Sequence, residues 1–214
     1  KLFKGSLGHM YTKHYNGKPV GGRWNGWRSN PKVIRSIIEQ YEVDNPDAIK
    51  YDRSRPADDE AIVHLRMGDV IESTEDRWKK SDLYEFIYKD VVIPVKKSHV
   101  WLISDYEEKV KKIKAIGIKK IVLLGNMHHC NTTTTTMNKQ YLACMVEFFE
   151  EHGFNVEVNI PPDNAVNSLH FTNVDTEFIY MTKSKVFVPS KTTLDTSFSV
   201  IIGRVVKECG GIVI

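Results

Sequence analysis

The sequence places a compact set of polar side chains at the end of an apolar run, residues 61–69. His64 and Arg66 are two positions apart, so both project from the same face of a strand. Gly68 and Asp69 follow at a turn, and strand ends of this kind often open a ligand crevice in α/β proteins. Because a guanidinium is a forked donor suited to a diphosphate, the pattern predicts an anion-binding corner for a nucleotide-linked substrate. The alternative is an Arg66–Asp69 ion pair with His64 inside the core.

Hydroxyl side chains gather near the other end of the chain. Ser190 ends a predicted strand, and Thr196, Ser197, Phe198 and Ser199 open the last predicted helix. Free backbone N–H groups and the positive end of the helix dipole bind phosphate, which predicts a phosphate site here. Ordinary capping by Thr196 or Ser197 is the alternative, and the two roles are compatible.

A third region of interest lies near the start of the chain. Gly5 and Gly8 frame a loop that leads to His9, and backbone N–H groups of a glycine loop can approach an anion. Trp24 and Trp27 add two indoles, which suit stacking on a sugar or a base. The alternative for the indoles is buried packing.

Elements that could position these residues follow from periodicity. Beyond residue 60, apolar β-branched runs alternate with amphipathic ones, as in βα units. Strands are predicted over Ala61 to Leu65, Val100 to Ser104, Lys120 to Leu124, Asn155 to Asn159, Val186 to Pro189 and Ile212 to Ile214. Helices are predicted from Asn30-Pro31 to Tyr41, Ser81 to Val91, Asp105 to Gly117, Thr136 to Gly153, Ser168 to Lys183 and Thr196 or Ser197 to Gly210, with Thr132 to Thr136 as an exposed loop. The sum is an α/β fold with a Rossmann-like, mostly parallel, doubly wound sheet.

Composition narrows the class of protein. Of the 214 residues, 27% are charged and 41% hydrophobic, and no apolar run approaches the ~20 residues of a membrane span. The net charge of +3 does not favour a nucleic-acid binder, although residues 1–40 hold eight Lys or Arg and one acid, which suits an anionic ligand. Three widely spaced cysteines predict a reducing, cytoplasmic compartment without a disulfide framework. His128-His129-Cys130 is predicted to be a loop, and no metal site is expected.

Four short segments resemble, in order, the motifs of the fucosyltransferase superfamily. Gly5-Ser6-Leu7-Gly8-His9-Met10 is similar to the Gly-x-Leu-Gly-Asn-Met/Gln loop of α-1,2-fucosyltransferases. His64-Leu65-Arg66-Met67-Gly68-Asp69 matches the His-x-Arg-x-Gly-Asp motif shared by α-1,2-, α-1,6- and protein O-fucosyltransferases. Trp101-Leu102-Ile103-Ser104-Asp105 resembles the middle Ser-Asp strand end of that superfamily, and Ser197-Phe198-Ser199 its C-terminal Ser-Phe-Ser.

The resemblance implies a GT-B fold and an inverting transfer of sugar without a metal or other cofactor. Arg66 would hold the β-phosphate of a GDP- or UDP-linked donor. His64 and the helix start formed by Ser197, Phe198 and Ser199 would complete the donor site. The other residues predicted to bind substrate are Gly8, His9, Trp24, Trp27 and Ser190. Asp69 is the favoured base for the acceptor hydroxyl, with Glu72 and His9 as alternatives.

Two departures from the family pattern bear on the substrate. His9 stands where the α-1,2 enzymes have Asn, and Met67 where they often have a second Arg. The resemblance implies transfer of a 6-deoxyhexose to a glycan hydroxyl, and because of these departures rhamnose is an alternative to fucose. A non-catalytic nucleotide- or carbohydrate-binding module of the same fold is the alternative.

Two domains are expected, separated within the polar stretch that leads to Glu60. Residues 1–58 would form a glycine-rich and helical segment on the acceptor side that contributes to the donor site. Residues 59–214 would form the Rossmann-like nucleotide-sugar-binding domain. Because the chain starts and ends abruptly, it is expected to be excised from a longer polypeptide whose other domains would be partners.

Overall fold

A computed structural model describes residues 14–15, 18–19, 30–44, 55–68, 70–71, 82–126, 132–160, 177–193 and 197–214. The strands are β1 (His14–Tyr15), β2 (Lys18–Pro19), β3 (Glu60–Arg66), β4 (Leu83–Tyr88), β5 (Val91–Lys96), β6 (Lys120–Asn126), β7 (Asn155–Asn159), β8 (Val186–Val188) and β9 (Ile212–Val213). The helices are α1 (Pro31–Asp44), α2 (Ile103–Ala115), α3 (Thr132–Glu151), the helical residues 177–182 (α4) and α5 (Phe198–Glu208).

The main sheet has five strands in the order β7-β6-β3-β8-β9, and every pairing is parallel. Counted along the chain, these strands lie in the order 3-2-1-4-5, which is the beginning of the Rossmann order. The α/β class and the Rossmann-like parallel sheet predicted from the sequence are confirmed. The chain first adds strands on one side of β3 and then crosses to the other side, so the order reverses between β3 and β8.

Helices cover both faces of the sheet, as a doubly wound fold requires. Ala61, Val63 and Leu65 of β3 belong to an apolar cluster that also holds buried residues of α2 and α3. Ile62 faces the opposite cluster, which holds buried residues of α1, α4 and α5. β3 is thus buried on both faces, which explains why its sequence is a continuous apolar run until His64.

Several helix starts are set by local hydrogen bonds. The Asn30 side chain accepts the N–H of Lys32 at 3.1 Å, and Pro31 begins α1, as its sequence predicts. Asp105 lies in the first turn of α2 and accepts the N–H of Leu102 at 2.9 Å. Ser197 caps α5 by accepting the N–H of Val200 at 3.4 Å. The helices predicted at these three places are confirmed.

Three predicted elements are wrong. Residues 83–96 form the antiparallel hairpin β4–β5 in place of a helix over Ser81 to Val91. Val100 to Ser104 makes no strand, because α2 already begins at Ile103. Thr132 to Thr136 belongs to α3 and is not a loop. In each case packing of the hairpin and helices onto the sheet overrides the local signal.

β3 and β6 approach each other closely near the site. Gly125 is the register partner of Leu65, and a Cβ atom built on Gly125 would lie 2.5 Å from the Leu65 carbonyl oxygen. The position of a Cβ atom on Gly125 and that of the Leu65 carbonyl oxygen are both set by the backbone. A side chain on residue 125 would therefore force the two strands apart. A Cβ atom on Gly203 of α5 would instead meet ordinary contacts at 3.5 Å or more.

We therefore predict that Gly125→Ala lowers the free energy of unfolding by roughly 1–3 kcal/mol, the usual cost of overpacking. Gly203→Ala is the matched control, because alanine favours the helix and meets no clash. Urea denaturation of both variants checks this. A Gly125→Ala midpoint equal to that of the wild type would contradict the close approach of the strands.

Candidate functional site

The polar side chains at the end of β3 lie at the point where the strand order reverses. His64 and Arg66 share the face of Ile62, and both are partly exposed at the carboxyl end of the strand. The neighbouring strand β8 ends at Val188, with Val63 and Val188 in register. In open α/β sheets this crevice is where ligands bind.

A hydrogen-bond relay joins β3, β8 and α5. The Ser199 hydroxyl oxygen accepts the backbone N–H of Ser190 at 2.9 Å and the Ser190 hydroxyl at 3.0 Å. His64 Nδ1 lies 2.5 Å from the same oxygen. With two donors already directed at the oxygen, the Ser199 hydrogen goes to Nδ1, so His64 carries its own proton on Nε2. Nε2–H has no hydrogen-bond partner among the described residues and is free to donate to a ligand.

His64 stays neutral in the folded protein. Its ring is largely enclosed by protein, and this desolvation, together with the positive charge of Arg66, lowers its pKa to about 3. A neutral imidazole with Nδ1 occupied is a weak base and a good neutral donor.

The relay is not a serine-hydrolase dyad. Ser199 is only 1% exposed, so its oxygen cannot reach a substrate carbonyl. Its lone pairs are engaged by Ser190, and its hydrogen by His64. Ser190 and Ser199 therefore orient His64. The sequence had predicted that both bind the substrate directly, Ser199 through the resemblance and Ser190 as part of the hydroxyl cluster.

Phe198 and Ser197 build the start of α5. The Phe198 ring packs between His64, at 5.4 Å between centroids, and Phe178 of α4, at 5.2 Å. Ser197 has the capping role already described, which leaves the first backbone N–H groups of α5 at the crevice. The capping reading is thus confirmed, and an anion can still bind there.

Two buried polar residues near the site were missed. Asn138 of α3 is 0% exposed; its side chain accepts the Gly68 N–H at 2.7 Å and donates to the Gly68 carbonyl at 3.4 Å. Gly68 has a φ of 78°, so this amide holds a left-handed turn directly after the motif. The signal was present in the sequence: Asn138 interrupts the apolar stripe formed with Tyr141 and Met145.

The second missed residue is Glu177, in the first described turn of α4. Its side chain is buried, with 6% of the residue exposed, and desolvation raises its pKa to about 8. Among the described residues none forms a hydrogen bond or ion pair with its carboxyl group. Glu177 directly precedes Phe178, whose ring packs on Phe198 at the start of α5.

The remaining predicted residues fall outside the part of the chain that the structure describes. These are Gly8, His9, Trp24, Trp27, Asp69, Glu72 and Thr196, together with His128-His129-Cys130. The role of Asp69, as base or as partner of Arg66, stays a prediction. Within the described ranges no three His, Cys, Asp or Glu side chains come together to hold a metal ion.

The pKa of His64 makes folding depend on pH. The unfolded chain binds a proton near pH 6.5 and the folded protein only near pH 3, so this residue lowers stability progressively as the pH falls through that window. We predict that His64→Asn, which can still accept from Ser199, flattens the loss of stability between pH 7 and pH 4. Urea denaturation at several pH values measures this, and ¹⁵N NMR reports the tautomer. A wild-type His64 that titrates near pH 6.5 would contradict the relay.

Comparisons with known proteins do not identify a family for this chain. Searches with this chain against protein-family models, curated protein sequences and solved structures return no match. None of the described helices is both long and apolar enough to cross a membrane. The features that bear on function are the strand order, the relay and the charged groups around it.

Proposed function

We propose that the protein is an inverting glycosyltransferase of the GT-B type that transfers a 6-deoxyhexose, fucose or rhamnose, from a nucleoside-diphosphate sugar to a glycan hydroxyl. One observation carries the proposal. His64, Arg66 and the first turn of α5 meet at the reversal point of a Rossmann-ordered sheet, where nucleotides bind. The order of the four motif segments supports the choice of sugar transfer over other nucleotide chemistry.

The reaction separates charge, and the site is suited to hold it. The acceptor oxygen forms a bond to the anomeric carbon while the bond from that carbon to the β-phosphate oxygen breaks. The electron pair of the breaking bond stays on the diphosphate, and Arg66 and the N–H groups of α5 stabilise that charge. These protein groups take the place of a metal cation, so we expect transfer to proceed without a metal.

The acceptor proton needs a base other than His64. With its pKa at about 3 and Nδ1 bonded to Ser199, His64 donates Nε2–H to the donor nucleotide. Asp69 follows Gly68 directly and is the proposed base. Glu72 and His9 are the alternatives.

We infer that the donor base is guanine. The carboxyl of Glu177 is buried beside Phe178, which packs on the first residue of α5, and a carboxylate is suited to accept from the N1–H and N2–H₂ groups of guanine. Uracil presents one N–H between two carbonyl oxygens, which an ionised carboxylate repels. The donor would then be a GDP-linked sugar.

The first test concerns Arg66. We predict that the wild type binds GDP in calorimetry, and that Arg66→Ala weakens binding roughly 10- to 100-fold through loss of charge-assisted hydrogen bonds. Arg35→Ala on α1 is the matched control, because it removes the same charge from an exposed ion pair with Glu39. Transfer that persists in EDTA is expected.

Each outcome separates the candidate functions. Binding of neither GDP nor UDP, or unchanged binding by Arg66→Ala, would overturn the proposal. If the protein binds GDP but neither hydrolyses GDP-fucose or GDP-rhamnose nor transfers sugar from them, the non-catalytic module is favoured. Salt-sensitive binding of random oligonucleotides that is tighter than GDP binding would indicate a nucleic-acid-binding protein.

The second test concerns Glu177. Guanine binds the ionised carboxylate, so we predict that GDP affinity rises more than UDP affinity between pH 6 and pH 8, as the group with a pKa of about 8 ionises. Glu177→Gln should remove both this difference and the preference for GDP over UDP. UDP is the control, because GDP and UDP carry the same terminal phosphate and its ionisation changes both affinities equally. An unchanged GDP preference in Glu177→Gln would contradict the assignment of guanine.

A further inference from the structure

Arg66 is the last residue of β3, and Lys191 lies three residues beyond Val188, where the neighbouring strand β8 ends. Val63 and Val188 are register partners, and Arg66 and Lys191 each follow three residues later along the chain. Neighbouring strands are about 4.8 Å apart, so the chain enters residues 189–191 from a position beside β3. Lys191 also directly follows Ser190, whose N–H bonds to Ser199 in the relay.

Two aromatic rings hold the ammonium group of Lys191. Its Nζ atom lies 5.3 Å from the centre of the Trp101 ring and 5.7 Å from that of Tyr84. Trp101 is fixed because its Nε1–H donates to the Pro189 carbonyl at 2.9 Å, and the Tyr84 hydroxyl donates to the Val100 carbonyl. The ammonium group of Lys191 therefore lies against two rings that are held in place by hydrogen bonds.

The charge of Lys191 is not neutralised within the described part of the chain. Among the described residues, Lys191 contacts two aromatic rings and no carboxylate. Lys89, Lys120 and Lys183, in contrast, each form an ion pair with a glutamate. A ring contact is weaker than a charge-assisted hydrogen bond and leaves the three N–H groups free to donate. Lys109 also lies over Trp101, but its Nζ donates to the Ile214 carbonyl at 3.3 Å.

We propose that Lys191, held by Trp101 and Tyr84, is a second cationic ligand for the β-phosphate of the donor and acts opposite Arg66. This inference rests on the proposed function and deepens it. The β-phosphate gains negative charge when its bond to the sugar breaks, and Arg66 at the end of β3 and Lys191 beyond the end of β8 hold that charge. Sequence motifs do not mark Lys191, because its position depends on the register of β8 with β3.

The test compares GDP with GMP, which lacks the β-phosphate, by calorimetry. Lys191→Met keeps the apolar stem on the rings and removes the charge. We expect it to weaken GDP binding at least tenfold and to change GMP binding less than twofold. Lys191→Arg should retain most of the GDP affinity. Lys185→Met is the matched control, because Lys185 is exposed at the amino end of the same strand and loses the same charge.

Failure of this inference differs from failure of the proposed function. A wild type that binds neither GDP nor UDP overturns both. Normal GDP binding by Lys191→Met overturns only the role of Lys191, and equal losses for GDP and GMP overturn the assignment to the β-phosphate. If Lys191→Met loses its folded circular dichroism spectrum, Lys191→Gln provides the same comparison, since the side chain is only half-buried.

Discussion

The Ser199 hydroxyl oxygen receives two hydrogen bonds from Ser190 and gives its hydrogen to His64. These bonds join the central strand β3, the neighbouring strand β8 and the first turn of α5 in one small volume. Each element is held elsewhere by apolar packing, which does not fix a rotation or a tautomer. The relay fixes both, and the direction of His64 Nε2–H follows from it. The chemistry proposed for the site thus depends on a serine that no substrate can touch.

Burial near the relay has an energetic cost that a ligand would offset. Desolvation lowers the pKa of His64 and raises that of Glu177, so each group resists the charge it would carry in water. Arg66 and Lys191 add positive charge at the same edge. Shifted groups of this kind cluster at functional sites, where the shift matches each group to the ligand or reaction it serves.

The sheet could be predicted from the sequence because β3, β6 and β8 contain apolar runs and a glycine stands shortly before β6, β7 and β9. The hairpin β4–β5 could not, since its turn uses Lys89, with a φ of 51°, and Asp90 in place of the Asn-Gly pair that usually signals a hairpin. Only part of the site could be predicted from the sequence. His64, Arg66 and Ser199 belong to recognisable local patterns, whereas the clamp of Asn138 on Gly68 joins residues 70 positions apart. Such contacts are set by how α3 packs on the sheet, and local patterns do not encode them.

The strand order explains why these separate features converge. The chain adds β6 and β7 on one side of β3 and then returns to add β8 and β9 on the other side. In the described part of the chain, β3 and β8 are neighbours although the chain extends the sheet to opposite sides from them, and a reversal of this kind is where open α/β sheets bind ligands. His64 and Arg66 lie at the carboxyl end of β3, Ser190 and Lys191 follow the end of β8, and Ser199 in the first turn of α5 bonds to His64. A topology of this kind concentrates donors and positive charge at one place, which is the requirement for binding a diphosphate before its bond to a sugar breaks.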